Sequence, residues 1–382
     1  MKKVLMTASV ASMIDLFNKN NIDILQNDLG YKVDVACNFH HGSITSQERV
    51  NEYRNELETI GVKTYHVPIP RSLMGIKDII KSYHLLKEIS QVNKYDIIHC
   101  HSPIGGVIAR LACRKQRKNG TKIVYTAHGF HFFNGSSIKS WMLYYPIERF
   151  CARYTDCLIT INKEDYLRAC KFRAKKVEYV PGIGIKTNEY HSKFDRVTKR
   201  QEFGIEIDDF LLINVGQLSK RKNQEILIKA LANISNLRVK LLICGLGELE
   251  KYYKELIEKL HLENRVILTG YRGDVKNLLQ ISDCFLFPSL QEGLPVALME
   301  AMAVGLPVVC SSIRGNIDLI DENGGYLIKT FDIKEYTEAI IKITEDENLC
   351  KKMGKYNENI IKEFDMNIVN NKMKYIYNDL AK

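Results

Sequence analysis

A chain of 382 residues, 45% of them hydrophobic and 26% charged, is long enough for two globular domains. It lacks the run of about eighteen apolar residues that a transmembrane helix needs. The net charge of +10 suits nucleic acid, an anionic membrane surface or a phosphate-bearing substrate. Because no helix-turn-helix, zinc-finger or RNA-binding signature accompanies this charge, nucleic acid is the disfavoured partner.

Short apolar runs of strand length alternate with helical patterns from the N-terminus onward. In the first half, the predicted strands lie at 3–8, 32–37, 64–69, 95–100, 122–126, 157–161 and 177–180. Helical periodicity separates them, for example at 14–29, 78–92 and 104–117. The basic start at Lys2 and Lys3 leads directly into a strand-length run, which favours a first strand over a signal peptide.

A second series of predicted strands lies at 210–215, 239–244, 265–268, 284–287, 307–310 and 325–328. Strand–helix alternation of this kind predicts parallel sheets with right-handed crossovers. Residues 181–204 interrupt the apolar pattern between the two series. We therefore expect an α/β protein with two doubly wound Rossmann-like domains, at 1–185 and 205–358, that face an interdomain cleft. A C-terminal helix at about 360–382 is expected to pack back on the first domain.

The ten cysteines are scattered and include no C-x-x-C pair. Many of them lie inside apolar runs of strand length, for example Cys37, Cys100, Cys244, Cys284 and Cys310. This pattern predicts buried, reduced thiols in a cytosolic protein rather than a disulfide framework. The histidines show no metal-binding spacing, and neither a metal nor another cofactor is expected.

The segment 291–305 reads QEGLPVALMEAMAVG and predicts a buried helix behind a glycine loop. Pro295 fits the first helical position, and Gly305 fits the residue just past the helix end. Glu300 is the only charged residue between Val296 and Val304. A lone charge on a buried helix is costly unless it is paired or hydrogen-bonded.

Two interpretations of this segment stay open at this point. The loop amides at Glu292, Gly293 and Leu294 would form an anion site at the helix N-terminus. Glu300 lies roughly 7–8 Å further along the axis, which matches the span from a diphosphate to the ribose of one nucleotide. The alternative is a core helix whose Glu300 pairs with an internal arginine or amide.

Two further clusters follow predicted strands, where open α/β sheets bind ligands. Lys222 stands in the basic stretch 219–224 and is a candidate to stabilise a diphosphate leaving group; the alternative is a basic surface turn. Gly245 and Gly247 mark a close approach of the backbone to a ligand or to a helix. Because position 250 is Glu250, the third glycine of a G-x-G-x-x-G dinucleotide motif is missing.

His128 follows an apolar strand in the aromatic-rich stretch 125–133. It could bond to a substrate hydroxyl or cover a reaction centre, and a purely structural role is the alternative. The aromatic residues around it fit either a core or a flank that dips into a membrane interface.

Several motifs that would indicate other enzymes do not occur. The absence of Asp-x-Asp argues against transferases that hold a nucleotide diphosphate through a divalent metal. Positive side chains and a helix N-terminus would then compensate the phosphate charge. Neither a P-loop nor a G-x-S-x-G elbow is present, which disfavours kinases and esterases.

Taken together, these motifs resemble the family 4 retaining glycosyltransferases of the GT-B fold, over nearly the whole chain. The most specific element is E-x7-E, from Glu292 to Glu300. Residues 215–223 resemble the family's G-x-L-x-x-x-K donor element, and 245–248 its second glycine turn. In the N-terminal half, 99–103, 126–133, 159–165 and 181–185 look like a bacterial capsule and exopolysaccharide subgroup.

The resemblance implies metal-independent transfer of a sugar from a nucleotide-diphospho sugar, by analogy a UDP-sugar, with retention of the anomeric configuration. The acceptor would be a lipid-linked saccharide bound by the N-terminal domain at the cytosolic membrane surface. The implied catalytic residues are His128 and Glu292, which address the donor sugar, and Lys222, which stabilises the departing diphosphate. The implied donor-binding residues are Gly216, Gln217, Arg221, Lys222, Gly245, Gly247, Tyr271, Arg272, Gly293, Leu294, Pro295 and Glu300.

The chain departs from the family pattern at two places. Gln217 stands where the donor element often carries arginine, with Lys220 and Arg221 as neighbouring substitutes, and 8–13 replaces the first glycine-rich loop. A sugar-nucleotide epimerase of the same architecture is one alternative function, and it would need no acceptor. A non-catalytic nucleotide-sugar-binding or scaffold subunit is another, although the complete set of candidate residues weighs against it. The basic-amphipathic stretch 71–87 is the candidate for membrane docking.

Overall fold

The computed structural model describes residues 1–40, 45–190, 194–329 and 332–382. The chain divides into two compact units, Met1–Ile183 with Asn367–Lys382, and Gly184–Met366. Gly184, Ile185 and residues 360–366, which were expected in the first domain, thus belong to the second unit. The reason is that Ile185 and Asp365 form a parallel bridge, with Met366 N donating to the Ile185 carbonyl at 2.9 Å.

The first unit contains a parallel sheet whose described strands follow the order β3-β2-β1-β4-β5-β6-β7. The strands are β1 (Lys3–Val10), β2 (Lys32–Asn38), β3 (Lys63–His66), β4 (Ile97–His101), β5 (Lys122–Ala127), β6 (Cys157–Thr160) and β7 (Lys176–Tyr179). The helices are α1 (Ala11–Phe17), α2 (Lys19–Asp23), α3 (Gln47–Thr59), α4 (Ile76–Asn93), α5 (Pro103–Ala112), α6 (Arg114–Lys118), α7 (Ile138–Cys151) and α8 (Lys163–Ala169).

The second unit contains another parallel sheet, with its described strands in the order β10-β9-β8-β11-β12-β13. The strands are β8 (Phe210–Val215), β9 (Val239–Cys244), β10 (Val266–Gly270), β11 (Cys284–Phe287), β12 (Val308–Ser311) and β13 (Gly325–Ile328). The helices are α9 (Arg196–Gln201), α10 (Glu225–Ala232), α11 (Glu250–Lys259), α12 (Val275–Ile281), α13 (Val296–Val304), α14 (Ile333–Glu345) and α15 (Glu347–Ile360).

The last helix, α16 (Met366–Leu380), returns to the first unit. Its buried face, with Val369, Met373, Ile376 and Tyr377, joins the core against β1, β2 and α3. Alternation of parallel strands and helices in both units confirms the predicted α/β fold with two Rossmann-like domains. Every predicted strand is present, with ends shifted by at most three residues.

The predicted helix at 14–29 is wrong as a single element. α1 ends at Phe17, α2 begins at Lys19, and a π-helical turn at Ile24–Asp28 follows. Asn18 causes the break, because its side-chain amide donates to the carbonyl of Met13 at 3.0 Å. Such local side-chain bonds to the backbone compete with helix continuation.

Strand order reverses between β1 and β4 in the first unit, and between β8 and β11 in the second. Ligands of doubly wound sheets bind at the carboxyl ends of strands near such reversals. The ten cysteines are all free thiols, and Cys37, Cys100, Cys244, Cys284 and Cys310 are buried as expected. None of the helices in the described ranges combines the length and the apolarity that crossing a bilayer requires.

Candidate functional site

The loops after β8 and β11 meet at the strand reversal of the second unit and bring opposite charges together. Lys222 Nζ lies 2.7 Å from Glu292 Oε1, and Arg221 Nη1 lies 3.0 Å from the same oxygen. The two loops are also joined by their backbones, since Leu290 N donates to the Arg221 carbonyl at 2.8 Å. The structure thus places two of the predicted catalytic residues, Lys222 and Glu292, in direct contact.

This charge pair is largely shielded from solvent. The side chain of Glu292 is 9% exposed and that of Lys222 is 14% exposed. Lys222 Nζ also lies 4.6 Å from the ring centroid of Phe287. Burial lowers the pKa of Lys222, and the neighbouring Glu292 carboxylate opposes that effect. Both cations bond to the same oxygen of Glu292, Oε1.

Arg314, which the sequence analysis did not single out, also fixes this loop. Arg314 is buried, and its Nε donates to the Glu292 carbonyl at 3.1 Å. The neighbouring Gly315 has a φ of +86°, and a Cβ there would collide with the carbonyl of Gly293. Glu292 is therefore held through its backbone as well as its side chain.

The predicted glycine positions serve contacts between loops. A Cβ at Gly245 would overlap the carbonyl oxygen of Gly216, and a Cβ at Gly247 would overlap that of Leu218. These glycines bring the β9–α11 loop against the β8–α10 loop, which carries Lys222. The close approach expected at Gly245 and Gly247 is thus to protein backbone, and it sets the position of the loop that bears the cation.

The helix that carries Glu300 runs as predicted, with one boundary shifted. Pro295 is the residue before the helix, with φ −80° and ψ 118°, and not its first helical residue. Gly305 has a φ of +84° and ends the helix in the left-handed conformation, as expected for glycine. The N–H groups of the first turn have no intrahelical acceptor, and no side chain in the described residues caps them. These N–H groups come shortly after Gly293 and Leu294 in the chain.

Glu300 is partly buried on α13 and has a partner that the sequence did not indicate. The hydroxyl of Tyr190 donates to Glu300 Oε1 at 3.0 Å. Tyr190 is buried in the 3-10 turn Thr187–Tyr190, and Lys276 Nζ lies 5.1 Å from its ring centroid. Burial raises the pKa of Glu300, an effect that the bond from Tyr190 opposes. The partner is thus a tyrosine hydroxyl, and not the arginine or amide of the alternative interpretation.

Three of the predicted donor-binding side chains do not take part in the charge pair with Glu292. Tyr271 is 79% exposed, and Gln217 is also exposed. Arg272 makes two bonds to Asp274, at 2.8 and 2.6 Å, so its guanidinium is already paired within the unit. Arg221 rather than Gln217 supplies the second cation beside Glu292.

His128 follows β5 in the first unit and lines a pocket there with Phe17, Thr126 and residues of α16. Its Nε2 lies 3.2 Å from Nδ1 of His101. Burial lowers the pKa of His128 to about 4, so the ring is neutral at pH 7. The sequence pointed to His128 but not to His101 as its partner.

Two protein-family models match this chain, one in each half. Residues 25–183 match the family described as Glycosyltransferase Family 4, and residues 195–360 match Glycosyl transferases group 1. Bacillus subtilis EpsD, named as a glycosyltransferase, is 38% identical over 299 residues, which cover 76% of this chain and 78% of EpsD.

A second relative is the Escherichia coli UDP-Gal:α-D-GlcNAc-diphosphoundecaprenol α-1,3-galactosyltransferase. It is 31% identical over 340 residues, which cover 84% of each chain. Among solved structures, Anabaena Alr3699/HepE in complex with UDP-glucose has a TM-score of 0.77 at 21% identity, covering 99% of this chain and 100% of that one. The chain is therefore a glycosyltransferase of the GT-B fold and belongs to family 4, with relatives in exopolysaccharide synthesis.

Proposed function

We propose that this protein transfers a sugar from a UDP-sugar to a lipid-linked saccharide during capsule or exopolysaccharide synthesis, with retention of the anomeric configuration. The relative from Escherichia coli supports the substrate classes, since its name gives a UDP-sugar donor and a diphosphoundecaprenol-linked acceptor. Relatives named for colanic acid and amylovoran biosynthesis support the pathway class.

The observation that carries the proposal is the contact of Lys222 and Arg221 with Glu292 at the strand reversal. A diphosphate leaving group develops negative charge as its bond to the sugar breaks, and fixed cations in a dry site stabilise that charge. Lys222 is positioned by Glu292, and the N–H groups of the first turn of α13, which have no intrahelical acceptor, add further donors. Glu292 Oε2 is the acceptor for a hydroxyl of the donor sugar.

Glu300 is assigned to the ribose of the donor nucleotide. One of its oxygens already accepts the Tyr190 hydroxyl, and the other is the acceptor for ribose hydroxyls. Such a site favours a ribose over an analogue without hydroxyls, because an unpaired buried carboxylate oxygen is costly.

The chemical step balances without a further reactant. The bond between the anomeric carbon and the diphosphate oxygen breaks, and its electron pair leaves with the diphosphate. The acceptor hydroxyl attacks the same face of the sugar, and a diphosphate oxygen takes its proton. His128 donates a hydrogen bond to the sugar near the reacting carbon. Charge compensation by Lys222 and Arg221 makes a divalent metal unnecessary.

The transferase assay uses the purified full chain, UDP-hexoses and UDP-N-acetylhexosamines, and a diphosphate-lipid-linked monosaccharide as acceptor. We expect a disaccharide product that depends on the acceptor, has the donor's anomeric configuration by NMR coupling constants, and forms equally well in EDTA. Conversion of the UDP-sugar without any acceptor would instead indicate an epimerase. An inverted product, or loss of activity in EDTA that Mg²⁺ restores, would overturn the mechanism.

We also propose peripheral docking to the cytosolic membrane surface through α4 and the turn before it. Met74 is 90% exposed and Ile76 is 64% exposed, and Arg71 and Lys77 flank them. Apolar side chains beside cations are the combination that anionic bilayers bind. We expect the protein to float with anionic liposomes at low salt, and Met74→Glu with Ile76→Glu to abolish flotation.

The matched control for this docking surface is Ile207→Glu, which changes an equally exposed side chain of the second unit. It should leave flotation unchanged. Equal flotation of the double variant and the wild type would contradict the assignment of the surface. Failure of the wild type to float would contradict docking itself.

A further inference from the structure

Three histidine rings lie together toward the carboxyl end of the first unit's sheet. His99 and His101 lie on β4, and His128 follows β5, the next strand. His101 contacts both neighbours: its ring centroid is 4.1 Å from that of His99, and its Nδ1 is 3.2 Å from Nε2 of His128. His101 is completely buried.

The two ring nitrogens of His101 have different surroundings. Nδ1 faces His128, whereas Nε2 is buried and has no hydrogen-bond partner within the described residues. Burial lowers the pKa of both rings, so each is neutral at pH 7 and carries one N–H. A proton on Nε2 of His101 would be a buried donor without an acceptor, which native structures avoid. The proton therefore belongs on Nδ1, which donates to Nε2 of His128.

His128 must then carry its own proton on Nδ1, since its Nε2 is the acceptor. That Nδ1 is not among the buried atoms that lack a partner, and the ring lines the pocket beside Phe17. We propose that His101 is a positioning residue that fixes His128 as the Nδ1–H tautomer, so that His128 offers a donor to a sugar oxygen. The choice of a sugar oxygen as the ligand rests on the proposed function; the tautomer does not.

His99 packs against the His101 ring. Its Nδ1 lies 2.8 Å from the Tyr377 hydroxyl, and its Nε2 lies 2.8 Å from Oγ1 of Thr126. Both partners are hydroxyls, which donate or accept as required, so His99 is satisfied in either tautomer. Because Tyr377 lies on α16, the returning C-terminal helix supports the orientation of His101, and through it that of His128.

The direct test is the tautomer of His128 in the wild-type protein. Selective ¹⁵N-histidine labelling and long-range ¹H–¹⁵N correlation at pH 7 distinguish Nδ1–H from Nε2–H rings. The signals of His128 are assigned by their loss in His128→Asn. We expect the Nδ1–H pattern for His128, and an Nε2–H pattern would overturn the proposal. This measurement requires no substrate, so it stands whether or not the protein transfers a UDP-sugar.

Two variants test the consequence for the reaction. The side-chain amide of Asn supplies an N–H in the place of Nδ1, so His101→Asn should retain the Nδ1–H signal of His128 and keep kcat within about threefold. His101→Leu should lose that signal pattern and lower kcat roughly 10- to 100-fold with little change in donor KM, a loss similar to that when the hydrogen-bond partner of a metal-bound histidine is removed. His84→Leu, at an exposed position on α4, is the matched control.

A folded His101→Leu protein with wild-type kcat would overturn the positioning role. Equal losses of kcat in His101→Asn and His101→Leu would also overturn it. Such a result would mean that the reaction needs the imidazole ring of His101 and not the hydrogen bond that it donates to His128. If His101→Leu does not fold, the kcat of His101→Asn and the wild-type spectrum still test the positioning role of His101. A wild-type protein that binds no UDP-sugar would count against the proposed function alone.

Discussion

Replacing Lys222 with methionine should destabilise the second unit, because it leaves Glu292 buried with one cation fewer. Removing one partner of a buried ion pair typically costs about 3–5 kcal/mol. Arg221, whose Nη1 is 3.0 Å from the same Glu292 oxygen, remains and offsets part of that loss. A hydrogen bond to a charged group is worth about 1.5–3 kcal/mol. We therefore expect Lys222→Met to lower the free energy of unfolding by about 2 kcal/mol.

The assay is urea unfolding of Lys222→Met, Glu292→Gln and the double variant. Because the double variant contains no uncompensated carboxylate, it should be more stable than the sum of the single losses, by about 1 kcal/mol or more. An additive double variant, or a Lys222→Met protein as stable as the wild type, would refute the reasoning about the pair. In the transferase assay, Lys222→Met should lower kcat by roughly 10²–10³-fold, the range for loss of a charge-stabilising donor.

Three other perturbations follow from the geometry of the second unit. Burial raises the pKa of Glu300, so the folded state binds the carboxyl proton more tightly than the unfolded chain does. The free energy of unfolding therefore falls as the pH rises from the ordinary carboxyl range through the raised pKa. Glu300→Gln should therefore have the same free energy of unfolding as the wild type below that pH range, and a higher one at pH 7. A lower free energy of unfolding for Glu300→Gln at pH 7 would contradict the burial effect. Tyr190→Phe removes the donor to Glu300 and should weaken UDP binding by about 1.5 kcal/mol, roughly tenfold in Kd by calorimetry, whereas an unchanged Kd would remove Tyr190 from the site. Gly245→Ala should cost about 1–3 kcal/mol in urea unfolding, because the new Cβ meets the Gly216 carbonyl. Gly120→Ala, at φ +106° with open space around it, is the control that carries strain without collision and should cost less.

The strand–helix alternation was readable from the sequence because hydrophobic periodicity records which side chains are buried. β8, β9, β11 and β13 begin and end where their apolar runs do. The failure at 14–29 has a local cause, since the side-chain bond of Asn18 to a backbone carbonyl leaves the apolar pattern unchanged. The boundary at 360–366 was missed for a different reason: a pairing of Ile185 with Asp365 is a long-range contact that no local pattern contains.

The candidate site was predictable where spacing along one element defines it. Glu292 precedes one helix and Glu300 lies on it, and Lys222 lies in the loop that follows a strand. The partners of these residues were not predictable, because they come from distant segments. Tyr190 lies 110 positions from Glu300, and His101 reaches His128 only because β4 and β5 are adjacent in the sheet.

The central claim is that the loops after β8 and β11, together with Glu300, form a nucleotide-sugar site. The measurement that tests it most directly is thermal unfolding of the purified protein and of Glu300→Ala with UDP-, GDP-, ADP- and dTDP-sugars. A ligand at about 100 times its Kd stabilises the folded state by roughly 2.7 kcal/mol, which is readily detected. We predict a shift with UDP-sugars that is lost in Glu300→Ala. An equal shift in the variant, or a shift only with another nucleotide, would contradict the account.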